Sequence, residues 1–280
     1  MNRHYLSLLV SAACVLSSCT YEVTEQDWPQ FKKDNFRSGV TVADIDLKNF
    51  GQLWSFDTKQ EPVPAWYGPA KEDAYVYSGP LPSMRDYDLS YYPIVVKDKL
   101  YYASSADDAV HCHDINTGEE KWLFTTGGPI RIAPTYYKGN LYVGSDDGYA
   151  YCIDASDGDL NWKFSPTKSE EKILNNGRFI SMAPIRTGVM IENGKAFFGA
   201  SLLPWEKSSI CSVDAHSGKL GGKGTFVKEY EGRRMTLEGA MASTGKVLIQ
   251  PQGRIAPVFF NRESGESLGT LSGMADASFW

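Results

Sequence analysis

The residues best equipped for chemistry are His111-Cys112-His113-Asp114, four ligand or proton-transfer side chains in a row. On a β-strand His111 and His113 share one face while Cys112 points to the other, so the three cannot converge on one ion without a bulge. Two ligands fall short of the three or four that zinc takes, and the segment is read as a half-exposed strand holding no metal. Two acidic groups, Asp107-Asp108 and Asp146-Asp147-Gly148, offer carboxylates to calcium. That ion needs six to eight clustered oxygens, and the two groups occupy equivalent places in a repeat, as hairpin turns would. A third set, Arg131, Ser181 and Glu238, stands two residues ahead of Ala133-Pro134, Ala183-Pro184 and Ala240-Met241, where first strands are expected to begin. With Arg178 nearby, it forms a candidate channel lining that binds an acidic small molecule or wets a structural pore, and both readings stay open.

The elements that must position these groups recur along the chain. An Asp, a Gly four residues on and a Trp four residues after that occur at Asp114, Gly118 and Trp122, then 40 residues later at Asp154, Gly158 and Trp162. Weaker copies are Asp214 with Gly218 and Asn261 with Gly265, where Gly222 and Gly269 take the Trp place. Trp54 reads as part of the last strand of an earlier unit. Ahead of each Asp lies a β-rich hairpin, at 93–102, 134–143 and 184–198. Self-similarity at this period, with four strand-like runs per unit, predicts an all-β propeller of four-stranded antiparallel blades, about five of them present. The Asp accepts backbone N–H bonds across its turn, the Gly supplies the left-handed conformation, and the Trp buries against the next blade. These repeat residues are therefore structural.

The pattern Asp-x-x-Thr-Gly-x-x-x-Trp, met from Asp114 to Trp122 and nearly met from Asp154 to Trp162, resembles the tryptophan-docking repeat of pyrroloquinoline-quinone-like β-propellers. Asp27-Trp28-Pro29-Gln30-Phe31, followed by Asp34-Asn35-Phe36-Arg37-Ser38-Gly39, is similar to the opening segment of such proteins. The resemblance covers most of residues 27–268. It implies the fold more than an activity, since the repeat serves quinoprotein dehydrogenases and non-catalytic BamB-type assembly lipoproteins alike. The dehydrogenases hold their quinone between a Trp and a disulfide of adjacent cysteines, bind calcium and use an Asp base. No two cysteines are adjacent here, and no Cys-x-x-Cys-His haem motif occurs. The site residues thus support neither the quinone nor calcium, and the expected cofactor is none.

At the N-terminus, Arg3 and His4 precede an apolar run from Leu6 to Leu16 that is too short to span a bilayer. Leu16-Ser17-Ser18-Cys19 resembles a bacterial lipobox with Cys19 as the lipidated residue; an ordinary secretory signal is the alternative. Residues 1–19 then form a signal peptide, 20–26 a tether and 27–280 the propeller, with an outer-membrane address favoured. A net charge of −6 argues against nucleic acid as a partner. Cys112 and Cys152 stand at equivalent places in successive blades, too far apart to bridge, and are read with Cys211 as buried small hydrophobes.

The interruption from Asp57 to Tyr92 departs most from the repeat. Its Trp66, Tyr67, Tyr75, Tyr77, Arg85 and Tyr87 are residue types that interfaces favour and form a candidate binding loop, but a packed insertion that covers the channel mouth is the preferred reading. Propellers of this class usually have seven or eight blades, and Ala277-Ser278-Phe279-Trp280 reads as the start of another strand. An incomplete propeller, an open arc belonging to a longer protein, is the expectation. By resemblance, the chain is an exported scaffold that binds a protein partner at the bacterial cell envelope and the membrane through its N-terminal lipid. The alternative is the N-terminal part of a quinone-dependent dehydrogenase.

Overall fold

The computed structural model describes residues 21–44, 48, 50–58, 60–65, 91–231, 235–252 and 255–270. The candidate loop residues Trp66, Tyr67, Tyr75, Tyr77, Arg85 and Tyr87 lie outside these, as does Cys19. Four antiparallel sheets of four strands each follow one another in chain order. Blade 1 comprises β1 (Ile94–Val96), β2 (Lys99–Ala103), β3 (Ala109–Asp114) and β4 (Glu120–Thr125). Blade 2 comprises β5 (Thr135–Tyr137), β6 (Asn140–Gly144), β7 (Ala150–Asp154) and β8 (Leu160–Phe164). A two-stranded hairpin, β9 (Lys172–Asn175) and β10 (Arg178–Ser181), intervenes. Blade 3 is β11 (Met190–Glu192), β12 (Lys195–Ala200), β13 (Ser208–Asp214) and β14 (Phe226–Tyr230), and blade 4 is β15 (Ala242–Ser243), β16 (Val247–Gln252), β17 (Ile255–Asn261) and β18 (Ser267–Thr270). This is the propeller repeat that the spacing predicts, with four complete blades among the described residues.

Inner blades present apolar side chains on both faces, so the core lies between blades rather than within one. Ile94, Val110, Cys112, Leu141 and Ile153 fill the space between blades 1 and 2. Tyr142, Cys152, Trp162, Phe198 and Cys211 fill the next, and Phe197, Ile210, Leu248 and Phe260 the last. The three cysteines are buried and free, and burial lifts the Cys112 and Cys152 thiols to about 11. Third strands such as β3 are buried nearly throughout, whereas the outer β4 alternates. That gradient is what face-to-face stacking of strands demands.

The recurring Asp, Gly and Trp form one staple between successive blades. Asp114 Oδ1 accepts the backbone N–H groups of Asn116 and Thr117, at 3.0 and 3.1 Å, and these bonds hold its carboxyl below the usual carboxylate range. Trp122 lies over Gly158 and donates its indole N–H to the Ala155 carbonyl at 3.3 Å. Trp162 repeats the contact on Gly218 and Ala215, at 3.0 Å. Trp54 repeats it on Gly118 and Ile115, at 2.7 Å, so the place of an earlier outer strand is marked although residues 51–58 form no strand. In blade 4 the ring above Gly265 is Phe226. The fixed spacing had put Gly222 in that role; the longer turn from Lys219 to Thr225, with glycines at 221, 222 and 224, moves the aromatic residue four places on.

A second band runs across the first strands. Trp28 exchanges two backbone hydrogen bonds with Val95 of blade 1, at 2.7 and 3.0 Å, and the Pro29 carbonyl accepts from Tyr136 of blade 2 at 2.7 Å. Asn35 donates its side-chain amide to the Ile191 carbonyl of blade 3 and accepts from the Ser243 N–H of blade 4, both at 2.8 Å. Arg37 Nε then reaches the Met241 carbonyl at 2.8 Å. Ten residues, turning through 30–36, thus touch all four blades. The expected tether is itself pinned, because Tyr21 and Thr24 donate to the Asp27 carboxylate, whose other oxygen accepts from Lys97 N.

Candidate functional site

The turns β2–β3 and β6–β7 and the connections leading into each blade meet on one face. Four residues ahead of its blade's first strand stands Arg131 (β5 begins at 135), then Arg186 (β11 at 190), then Glu238 (β15 at 242). Ser181 is therefore not the equivalent of Arg131. The expected alignment on Ala-Pro fails in blade 3, where β11 begins six residues after Pro184 instead of one. Ser181 is buried in β10, and its backbone N–H donates to the Asp146 carbonyl at 2.8 Å.

The two arginines converge on Asp146, in the turn between β6 and β7, and Glu238 joins them through Arg186. Arg131 donates from Nε and Nη2 to Asp146 Oδ2, at 2.9 and 2.8 Å, and from Nη1 to the Val63 carbonyl at 2.6 Å. Arg186 grips Asp146 with Nε on Oδ1 and Nη2 on Oδ2, at 2.9 and 3.0 Å, and its Nη1 stands 3.3 Å from Glu238 Oε1. Burial alone would lift the Asp146 carboxyl, but Arg186 and Arg131 outweigh it and hold the group below the usual carboxylate range. Of the residues read as a channel lining, Arg131 and Glu238 join one network through Asp146 and Arg186. Sequence reasoning assigned Asp146 to a turn and missed Arg186; counting back from the true strand starts would have found the latter.

Arg178 belongs elsewhere. It sits at the tip of the β9–β10 hairpin and binds the Asp108 carboxylate and the Ala106 carbonyl. Burial lifts the Asp108 carboxyl above its ordinary value even with Arg178 beside it. The same hairpin donates from Asn175 and Asn176 to the carbonyls of Ala65 and Pro64, at 2.8 and 3.1 Å. It thereby bridges from the approach to blade 3 back to blade 1 and to the start of the long interruption. Val63 N–H, donating to Ser105 Oγ at 2.9 Å, anchors that start.

The hairpin also displays apolar surface. Leu174 and Phe179 are cross-strand partners and stand 67% and 66% exposed. Trp205, in the loop between β12 and β13, is 67% exposed. The acidic pairs divide: Asp146 is spent on arginines, whereas Asp147 accepts from Gly127 N and Tyr151 OH. His111 and His113 share one face of β3 and Cys112 is buried against blade 2, as the strand geometry predicts, but both histidines are buried as well, so the strand is not the half-exposed one expected.

Blades stapled by tryptophan and closed at one face by a buried arginine–aspartate network define a quinoprotein-type β-propeller repeat protein. A family model described as outer membrane protein assembly factor BamB matches residues 38–221, more than half of the chain, and the chain belongs to that family. Among curated proteins, the 1-butanol dehydrogenase (cytochrome c) of Thauera butanivorans is 30% identical over 143 residues, 46% of this chain and 20% of that protein. The outer membrane protein assembly factor BamB of Francisella salina is 25% identical over 128 residues, 45% of this chain and 22% of that one. The solved quinohemoprotein alcohol dehydrogenase from Comamonas testosteroni superposes with a TM-score of 0.63 at 14% identity, over 89% of this chain and 41% of its own. The chain thus spans about a fifth of the length of these curated relatives.

Proposed function

We propose that the chain is a non-catalytic propeller lipoprotein that assembles or holds protein partners at the bacterial envelope, anchored through a lipid on Cys19. The observation that carries the binding role is the exposed Leu174 and Phe179 pair on a hairpin foreign to the four-strand repeat. Apolar side chains displayed side by side on a rigid element are the anchors that protein interfaces use. Trp205 adds a third anchor. The charged groups ahead of the first strands serve the fold, because both oxygens of Asp146 are taken by guanidinium donors that tie blades 2 and 3 together. Membership of the BamB-described family supports the same reading.

The test pairs crosslinking in intact cells with variants. Leu174→Ser combined with Phe179→Ser is expected to abolish a specific envelope crosslink that Leu160→Ser, exposed on β8, leaves in place. An unchanged crosslink pattern would sink the docking surface. Mass spectrometry of the exported protein is expected to show a lipid on Cys19 that the Cys19→Ser variant lacks.

The 30% identity with 1-butanol dehydrogenase favours a second reading, a segment of a quinone- and calcium-dependent dehydrogenase. Titration with pyrroloquinoline quinone and calcium, followed by tryptophan fluorescence, separates the two. Saturable quenching supports the dehydrogenase; its absence supports the scaffold.

A further inference from the structure

We infer that blade 1 carries a divalent transition-metal site, suited to zinc, formed by His111 Nδ1, His113 Nε2 and Glu120 Oε2. The three residues offer ligand atoms that all lie within 4.8 Å of one another. Glu120 Oε2 stands 3.1 Å from His111 Nδ1 and 3.8 Å from His113 Nε2. Bonds of about 2.0–2.1 Å in a tetrahedral site set neighbouring ligand atoms about 3.3 Å apart, so small side-chain rotations complete the arrangement. Glu120 is the ligand that strand periodicity could not supply. It lies on β4, opposite His113, where a register irregularity between Cys112 and His113 brings it across.

The hydrogen bonds around the two rings leave lone pairs facing a carboxylate. His113 Nδ1 is 2.9 Å from the Gly118 carbonyl, which only accepts, so Nδ1 carries the hydrogen and the neutral ring's Nε2 presents a lone pair. That Nε2 is buried without a hydrogen-bond partner, on a side chain 1% exposed. His111 Nε2 is 3.0 Å from Asp107 Oδ2, the carboxylate-to-imidazole contact that orients a metal-bound histidine through its outer nitrogen. Its Nδ1 is thereby turned toward Glu120. A proton on His111 Nδ1 or a metal ion satisfies this convergence, but only an ion also engages the otherwise unpartnered His113 Nε2, and two imidazoles with one carboxylate are a ligand set that zinc takes with a fourth position open. Tyr102, stacked on His111 at 4.5 Å and 4°, and Phe56, 4.7 Å from His113, hold the rings in place.

Calorimetric titration of the purified full chain with zinc chloride, and visible spectroscopy with cobalt as a substitute, test the site. One ion per chain is expected, with the intense visible bands of low-coordinate cobalt and a zinc-dependent rise in Tm. Glu120→Gln alters an exposed side chain that the fold tolerates, and is expected to weaken binding about tenfold or more. His113→Gln is expected to abolish the cobalt bands, while His216→Gln, on an exposed turn, leaves them unchanged. No saturable binding at metal well above the protein concentration, or binding that survives both Glu120→Gln and His113→Gln, overturns the site.

Discussion

Trp122 lies face-down on Gly158, so that a Cβ built on the glycine would stand 2.7 Å from Cε3 of the indole. Gly158 also has φ of +84°, in the left-handed region. Both facts forbid a side chain there. Gly158→Ala is expected to cost about 2–4 kcal/mol, the sum of left-handed strain and a displaced neighbour. Gly177→Ala, at φ +79° with open space around it, should cost only about 1 kcal/mol. Urea unfolding of both variants checks the difference; equal costs would mean that the indole contact adds nothing.

The Asp146 network makes an acid-sensitive lock. Its carboxyl lies lower in the fold than the ordinary 3.8, so the stability that it contributes is complete above the unfolded value and is lost as pH falls through the folded one. Asp146→Asn is expected to cost about 3–5 kcal/mol at neutral pH, because two buried guanidinium groups lose the carboxylate they share. The gap between wild type and variant should narrow as pH falls below about 4. Denaturant midpoints measured from pH 7 down to pH 2 test both the size and the sign.

The band from Trp28 to Arg37 is expected to act as a clasp across the four first strands. Asn35→Ala removes one neutral hydrogen bond to blade 3 and should cost about 1 kcal/mol, whereas Arg37→Ala removes charge-assisted bonds and should cost about 1.5–3 kcal/mol. Burial pulls the Arg37 guanidinium down to about 10, partly offset by Asp34, and it still carries its charge at neutral pH. Hydrogen exchange at Ser243 N–H should quicken in both variants. Unchanged exchange there would mean that blade 4 does not depend on the clasp.

Cys112, Cys152 and Cys211 are expected to resist a maleimide at pH 8 in the native protein and to react within minutes in denaturant. Burial both hides them and keeps them protonated, the Cys112 and Cys152 thiols at about 11. Peptide mass spectrometry after labelling reads this directly. Native labelling of Cys152 would show that the contact between blades 2 and 3 opens readily.

What the linear sequence determined is local and periodic. The spacing of Asp114, Gly118 and Trp122 encodes a turn, a left-handed residue and a returning aromatic, all within nine residues, so the blade repeat was legible without knowledge of any distant contact. The same periodicity misled wherever a connection changed length. Gly222 took the place that belongs to Phe226, and Ser181 the place that belongs to Arg186, because a count along the chain cannot see a lengthened turn or a late strand start. Tertiary structure alone decided which charges meet. Asp146 joins Arg131 and Arg186 from separate connections and Arg186 reaches on to Glu238, Glu120 reaches His111 and His113 only through strand pairing, and the Trp28–Arg37 segment finds four blades at once. Those contacts depend on how blades stack and where registers shift, and stacking is set by burial summed over the whole surface between blades, which no short stretch of sequence contains.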